Sequence, residues 1–132
     1  TAYLSSVFSG ERRSIQVNVE TAHIHFDIDT AIPLGLIVNE LVSNAYKYAF
    51  DKNSTGLIHI RIDAINTTDY ELQVADNGKG LPPGFDPEKS NTLGLKLVKI
   101  LSRQLRGSFS SKSGNGTVFL VKFKDLRAHR AA

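Results

Sequence analysis

Only two stretches of this chain carry a helical hydrophobic period, and both are interleaved with stretches that alternate. In residues 31–50, AIPLGLIVNELVSNAYKYAF, the residues Leu34, Ile37, Val38, Leu41 and Ala45 recur at helical spacing. In 93–107, LGLKLVKILSRQLRG, a second such stripe runs through Leu93, Leu97, Val98, Leu101 and Leu105. Around them, IQVNV (15–19), HIHFDI (23–28), LIHIRIDAI (57–65), YELQVAD (70–76) and the two arms of SFSSKSGNGTVFLVKF (108–123) read as strands. An alternating strand buries one side only, so a sheet of such strands needs a cover on one face. The order strand–strand–helix–strand–strand–loop–helix–strand–strand lacks the βαβ repeat of a doubly wound fold. It predicts an α+β chain, a two-layer α/β sandwich with a mainly antiparallel sheet and helices on one face. At 132 residues, the whole of 1–132 suits a single domain with one core.

Local signals refine this order. Thr21 and Ala22 separate the first two alternating runs, which predicts a hairpin. Asp29 or Thr30 is placed to cap the first helix, with Pro33 in its first turn, and the helix is expected to run to about Phe50. The spacing of 57–65 and 70–76 predicts an antiparallel pair. Gly107 supplies a stop for the second helix. Asn115–Gly116 is a strong hairpin signal. The end, KDLRAHRAA (124–132), reads as a fraying tail.

Charge and composition exclude several classes. The net charge is +3 and the basic residues are scattered, Arg12, Arg13, Arg127 and Arg130 lying near the ends. That is not the basic stripe of a nucleic-acid binder. The absence of cysteine removes disulfides, thiolate zinc sites and a thiol nucleophile, and fits a reducing compartment. No apolar run approaches the ~20 residues of a membrane-spanning helix, and TAYLSSVFSGERRS lacks a signal-peptide pattern. A cytoplasmic domain without direct membrane contact is expected, and the abrupt start leads to the expectation of a piece of a longer protein, one free to carry a membrane anchor elsewhere.

The first helix carries an unusual polar side. Glu40, Asn44, Lys47 and Asp51 fall in one narrow sector at about 100° per residue. Taken alone this suits a solvated face, with Lys47 paired to Asp51 one turn on. Two asparagines, Asn39 and Asn44, are nonetheless poor helix formers. Asn44 offers a carbonyl oxygen of the kind Mg²⁺ accepts. Lys47 is a compact cation for phosphate, and Glu40 is placed to orient or deprotonate an attacking group.

Two glycine-containing stretches complete the pattern. VADNGKGLPPG (74–84) is no dinucleotide fingerprint, because Pro82 and Pro83 forbid the helix that must follow, and no P-loop motif exists. A strand ending in Asp76-x-Gly78-x-Gly80 is either a tight turn or a carboxylate held at a sheet's end beside a flat ring. The loop 77–92, rich in Gly and Pro, excludes a regular element and has the length of a functional one. SNTLGLKLV (90–98) opens the second helix. Asn91 or Thr92 is placed to cap it, its first amides form an anion site, and Gly94 suits either close helix packing or approach to phosphate.

In this order the motifs resemble the catalytic and ATP-binding domain of sensor histidine kinases, of the Bergerat ATP-binding superfamily shared with gyrase, Hsp90 and MutL. IPLGLIVNELVSNAYKYAF and GFDPEKSNTLGLKLVKIL look most like the short-lid subfamily, and the resemblance runs from about Tyr3 to Phe123. It implies a Bergerat fold, a mixed five-stranded sheet under about three helices. It implies ATP and Mg²⁺ as cofactors. Asn44 would ligate the metal, Lys47 would contact phosphate, and Tyr48 would pack near the nucleotide. Asp76 would bind the adenine amine with Gly78 and Gly80 beside the ring. Thr92, Leu93, Gly94 and Leu95 would present backbone amides to phosphates, and Thr117 would support the adenine end. Phe85 stands where the family's phenylalanine box is sought.

The sequence departs from the family pattern in two places. Its second glycine box is reduced to TLGL, and Glu40 stands where many histidine kinases have Asn. His23 and His25 fall in one expected strand, His59 in another and His129 in the tail, so none suits a phosphoacceptor. The implied function is transfer of the γ-phosphoryl group of ATP to a histidine on a separate dimerisation domain of the parent, with a response regulator downstream. Glu40 and Lys47 would be the catalytic pair. An ATP-hydrolysing gate or chaperone, or a serine kinase of the anti-sigma-factor type, is the alternative within the same superfamily.

Overall fold

The computed structural model describes residues 2–3, 14–21, 24–51, 55–90 and 92–125. Its strands are β1 (Ala2–Tyr3), β2 (Ser14–Thr21), β3 (Thr55–Ala64), β4 (Asp69–Asp76), β5 (Ser108–Gly114) and β6 (Gly116–Lys124). Its helices are α1 (Ile28–Asn44) and α2 (Leu93–Gln104), with a π-helical turn at Ala45–Ala49 and a 3-10 turn at Pro87–Lys89. The strands form one sheet in the order β1-β2-β3-β4-β6-β5. All pairs are antiparallel except β2–β3. This is the mixed, mostly antiparallel two-layer arrangement expected, with a sixth strand because the two-residue β1 adds an edge to β2.

Period two decides which side of the sheet is core. Ile15 and Val17 of β2, Ile58 and Ile60 of β3, Leu72 and Val74 of β4, and Phe119, Val121 and Phe123 of β6 are all buried. The pairings Ile60↔Val74 and Val74↔Phe119 bring these residues into register across three strands. Leu34, Ile37, Leu41 and Ala45 of the first helical segment and Leu95, Val98, Leu101 and Leu105 of the second close over them. Deep burial of one aliphatic side chain is worth roughly 1.5–3 kcal/mol, so this sandwich is what fixes the chain at the sheet's end, where the polar motifs gather.

Several expectations are corrected. The hairpin between 15–19 and 23–28 does not form. Residues 24–27 join no ladder and α1 starts at Ile28, its N-cap being Asp27, with extended backbone, rather than Asp29 or Thr30. The carbonyl of Asp27 accepts from the amides of Thr30 and Ala31 at 2.9 and 2.8 Å. Alternation in this stretch has another cause: the Phe26 ring meets Tyr70 and Phe123 edge-on at 4.9 and 5.5 Å between centroids. Thr30 is a buried donor to Asp125, at 3.3 Å, and because α1 begins at Ile28, Pro33 sits inside the helix. Without a hairpin, β2 takes β3 as a parallel neighbour, and α1 supplies the crossover such a pair requires.

In α2, Leu93 is 86% exposed rather than part of the buried stripe, and Leu95 takes its place in the core. The tail begins later than 124: Lys124 ends β6 and bonds Asp69, and Asp125 is buried. His23, Asn91, His129 and residues 126–132 lie outside the described residues. His25 is exposed, and His59 meets Glu20 at 3.0 Å on the open face of the sheet. No helix among the described residues is long and apolar enough to cross a membrane.

Gly107 does end α2, but not by adopting the left-handed backbone itself. Arg106 takes that conformation, with φ 58°, and Gly107 N–H closes the helix on the Ser102 carbonyl at 2.8 Å. What requires glycine is the approach to β6: a Cβ here would overlap the Lys122 carbonyl. Gly107→Ala is therefore expected to destabilise the fold by about 1–3 kcal/mol through forced displacement of backbone. Urea denaturation followed by circular dichroism measures this, and an unchanged midpoint would refute the packing role.

Candidate functional site

A cleft of about 640 Å³ opens where the C-terminal half of α1, the π-helical turn, the ends of β4 and β6, the 77–92 segment and the start of α2 converge. Of the residues singled out in the sequence, Glu40, Asn44, Lys47, Tyr48, Asp76, Gly80, Thr92, Gly94, Leu95 and Thr117 line it. A second hollow of about 340 Å³, between α1 and strands β2 and β3, has no charged side chain among the described residues that line it. The polar residues singled out above gather in the larger one.

The helix wall is shaped by a change of winding. After Asn44 the chain passes from α to π-helix for Ala45–Ala49. Such wide turns are rare and concentrate at functional sites. Here the widened turn lets both Lys47 and Tyr48 face the cleft, while Tyr46 and Ala49 remain buried. Tyr48 is 69% exposed and forms part of the rim. Asp51, just beyond, takes Lys79 as its ion-pair partner at 3.1 Å. That pair ties the helix end to the opposite loop, where Lys47–Asp51 pairing had been the expectation for a solvated face.

The floor is the end of β4. Asp76 pairs with Thr117 across the ladder and is 8% exposed. One carboxylate oxygen, Oδ1, accepts from the amides of Gly78 and Thr117 at 3.0 and 3.3 Å. Burial pushes the Asp76 carboxyl above its ordinary range, and these two amides pull it part of the way back. Asn77 extends the ladder with its side chain, Oδ1 accepting from Leu57 N–H at 2.8 Å. Gly78 does not line the cleft. It lies against Ala49, where a Cβ would overlap the carbonyl oxygen, so packing of loop on helix fixes its identity. Gly80 does line the cleft, with φ +78°, and the next amide, Leu81, donates to Ser113 Oγ at 2.8 Å.

The remaining wall is the start of α2. Thr92, Gly94 and Leu95 line the cleft, whereas Leu93 points away into solvent. Gly94 faces Glu40: a Cβ on it would stand 2.5 Å from Glu40 Oε2. The two helices thus meet at a carboxylate and a glycine. Lining residues that sequence reasoning missed are Ala45, Ala49, Lys79, Leu81, Pro82 and Phe119. Phe119 was recoverable, since it lies two residues beyond Thr117 and shares its face. Lys79 carried no signal, because its position depends on the loop folding back over Ala49. Phe85, placed by resemblance alone, is in the lining.

Comparison with known proteins shows the family and the fold. Residues 29–127 match the family described as histidine kinase-, DNA gyrase B- and HSP90-like ATPase. The chain belongs to this ATPase family. It is 28% identical over 123 residues to blue-light-activated histidine kinase 2 of Erythrobacter litoralis, covering 89% of this chain and 36% of that protein. It is 40% identical over 110 residues to the sensor histidine kinase PdtaS of Mycolicibacterium smegmatis, covering 80% of this chain and 22% of that one. The solved structure of the Erythrobacter litoralis EL346 blue-light activated histidine kinase superposes with a TM-score of 0.79 at 27% identity, over 89% of this chain and 37% of that chain. The chain thus spans about a third or less of these relatives.

The raised Asp76 carboxyl has a consequence for stability. The folded state holds this proton more tightly than the unfolded chain does. Stability from this group is full below the unfolded value near 3.8 and falls as pH rises through the higher folded value. Asp76→Asn keeps an acceptor for both amides and removes the buried charge. The variant is expected to be at least as stable as the parent at pH 7, with the difference vanishing at acid pH. Denaturation midpoints of both proteins between pH 3 and 8 check this, and a variant less stable at pH 7 alone would contradict it.

Proposed function

We propose that the chain binds Mg²⁺–ATP in this cleft and transfers the γ-phosphoryl group to a histidine on a separate dimerisation domain of its parent protein. The parent then acts in two-component signalling with a response regulator downstream, and this domain works in the cytoplasm. One observation carries the reading: a single cleft gathers the buried Asp76 carboxylate at one side, and Glu40, Asn44, Lys47 and the first residues of α2 at the other. Such an arrangement suits a base-recognition group on one side and a phosphate-handling group on the other. The named relatives, all histidine kinases, support the choice of acceptor.

The residues fit the metal. Asn44 offers one neutral oxygen, and among the described residues no three His, Cys, Asp or Glu gather as a metal cluster. That suits an ion that draws most of its oxygens from phosphate and water. When bound, it would offset charge on the phosphates. The chain's own residues position the rest. Asp76 accepts from the exocyclic amine of adenine, Gly80 and Thr117 border the ring, and Tyr48 packs near the nucleotide. Lys47 places a cation beside the phosphates, Gly94 and Leu95 bring backbone amides to them, and Thr92, whose own amide is bonded to Ser90, completes that wall. Phosphoryl transfer asks mostly for such positioning and charge stabilisation. As the imidazole nitrogen bonds to the γ-phosphorus, the bond to the bridging oxygen breaks, ADP leaves, and Glu40 takes the imidazole proton.

A fluorescent ATP analogue titrated with and without Mg²⁺ tests the binding half, and no binding at millimolar nucleotide would sink it. Asp76→Asn is expected to weaken binding by about 10- to 100-fold, the scale of a hydrogen bond to a charged group. Asn44→Ala is expected to erase most of the enhancement by Mg²⁺ while leaving metal-free binding within about twofold. For the transfer half, the isolated chain is expected to turn over little ATP. Steady hydrolysis that disappears in Glu40→Ala would instead favour an ATPase in which that carboxylate serves water.

A further inference from the structure

Thr92 precedes the first residue of α2 with extended backbone, φ −62° and ψ 146°, yet its side chain makes no capping bond to its own helix. Threonine at an N-cap ordinarily turns its oxygen onto an amide two or three residues ahead. Here Thr92 Oγ1 lies 3.1 Å from Ser90 Oγ, and Thr92 N–H donates to that same serine oxygen at 3.2 Å. Whichever hydroxyl donates, the threonine oxygen is drawn toward Ser90 and off the helix.

Ser90 is itself held. It is 8% exposed, and its amide donates to the Pro87 carbonyl at 3.2 Å. Its carbonyl and that of Glu88 both accept from Lys99 Nζ at 2.9 Å. Lys99 lies two turns into α2, so the helix reaches back to hold the loop that leads into it. The foot of the loop is further set by Asp86, whose carboxylate accepts from Glu88 N–H at 2.9 Å, and by buried Pro87. The series Lys99, Ser90, Thr92 ends at the wall of the cleft, which Thr92 lines with Gly94 and Leu95.

We propose that Ser90 and Lys99 are positioning residues of the nucleotide site. They hold Thr92 off its own helix, so that among the described residues no side chain caps the leading amides of α2 where phosphate oxygens would bind. The inference rests on the reading that the cleft takes a nucleotide. It identifies two residues outside the cleft lining that set phosphate affinity without touching phosphate.

The test uses the 132-residue chain, titrated by calorimetry with ATP, ADP and adenosine. Ser90→Ala frees Thr92 to cap α2. Affinity for ATP and ADP is expected to fall about fivefold, the worth of one N-cap bond, while adenosine binding and the melting temperature of the empty domain do not fall. In a Thr92→Val background no hydroxyl remains to be redirected, and Ser90→Ala is then expected to change ATP affinity by less than about twofold. Lys99→Met is expected to lower ATP affinity in the same direction, and Lys99→Arg to retain it. Equal losses for ATP and adenosine, or a full Ser90→Ala effect in the Thr92→Val background, would reduce Ser90 to a structural residue and overturn the proposal. A wild-type chain that binds ATP and ADP and is indifferent to Ser90→Ala would overturn this inference alone. A wild-type chain that binds none of the three ligands would overturn the nucleotide reading with it.

Discussion

The cleft depends on one close backbone approach, that of Gly78 to the carbonyl of Ala49. This oxygen accepts from Lys79 N–H at 2.9 Å, and the absent side chain of Gly78 is what allows the loop to reach it. The contact joins the end of the helical layer to the end of the sheet. It fixes Asp76 on one side and the π-helical turn on the other, and the Lys79–Asp51 pair closes over it. An exposed pair of this kind contributes little by itself. The half-buried glycine and the carbonyl of buried Ala49 hold the geometry.

Much of the architecture was legible because burial and period coincide. Ile58, Ile60, Leu72, Val74, Phe119 and Val121 announce the core face, and both helices follow from their stripes. Asp76 was legible for a different reason: a carboxylate that closes an alternating strand and precedes two spaced glycines is held by the sheet. Failures occurred where tertiary contacts override local pattern. HIHFDI alternates because Phe26 enters an aromatic cluster with Tyr70 and Phe123, not because it joins a ladder. Leu93 has helical spacing but sits in the first turn of α2, beyond the reach of the sheet. The π-helical turn left no mark in the sequence, since the same residues suit an α-helix.

The site divides in the same way. Glu40, Asn44 and Lys47 were found by helical geometry, and the cleft gathers them as that geometry required. Gly78 and Gly94 were found as glycines but owe their identity to neighbours that sequence does not disclose. Gly78 admits the Ala49 carbonyl, and Gly94 admits the Glu40 carboxylate. Both are packing glycines at the edge of a polar cleft. The thinned TLGL box therefore still spaces two helices closely enough for their polar ends to share one volume.

The single parallel pairing has a consequence for how the chain reaches this state. β3 with β4 and β5 with β6 are joined by short connections and register within their own hairpins. β2 finds β3 only across the whole of α1, Ile15 aligning with Gly56 and Thr21 with Ile62. Closing so long a loop delays the contact that rewards it. The β2–β3 and β4–β6 junctions, whose partners lie 41 and 41–55 residues apart, are thus expected to form after the two hairpins. A chain emerging in sequence order must keep β2 and α1 waiting until β3 exists.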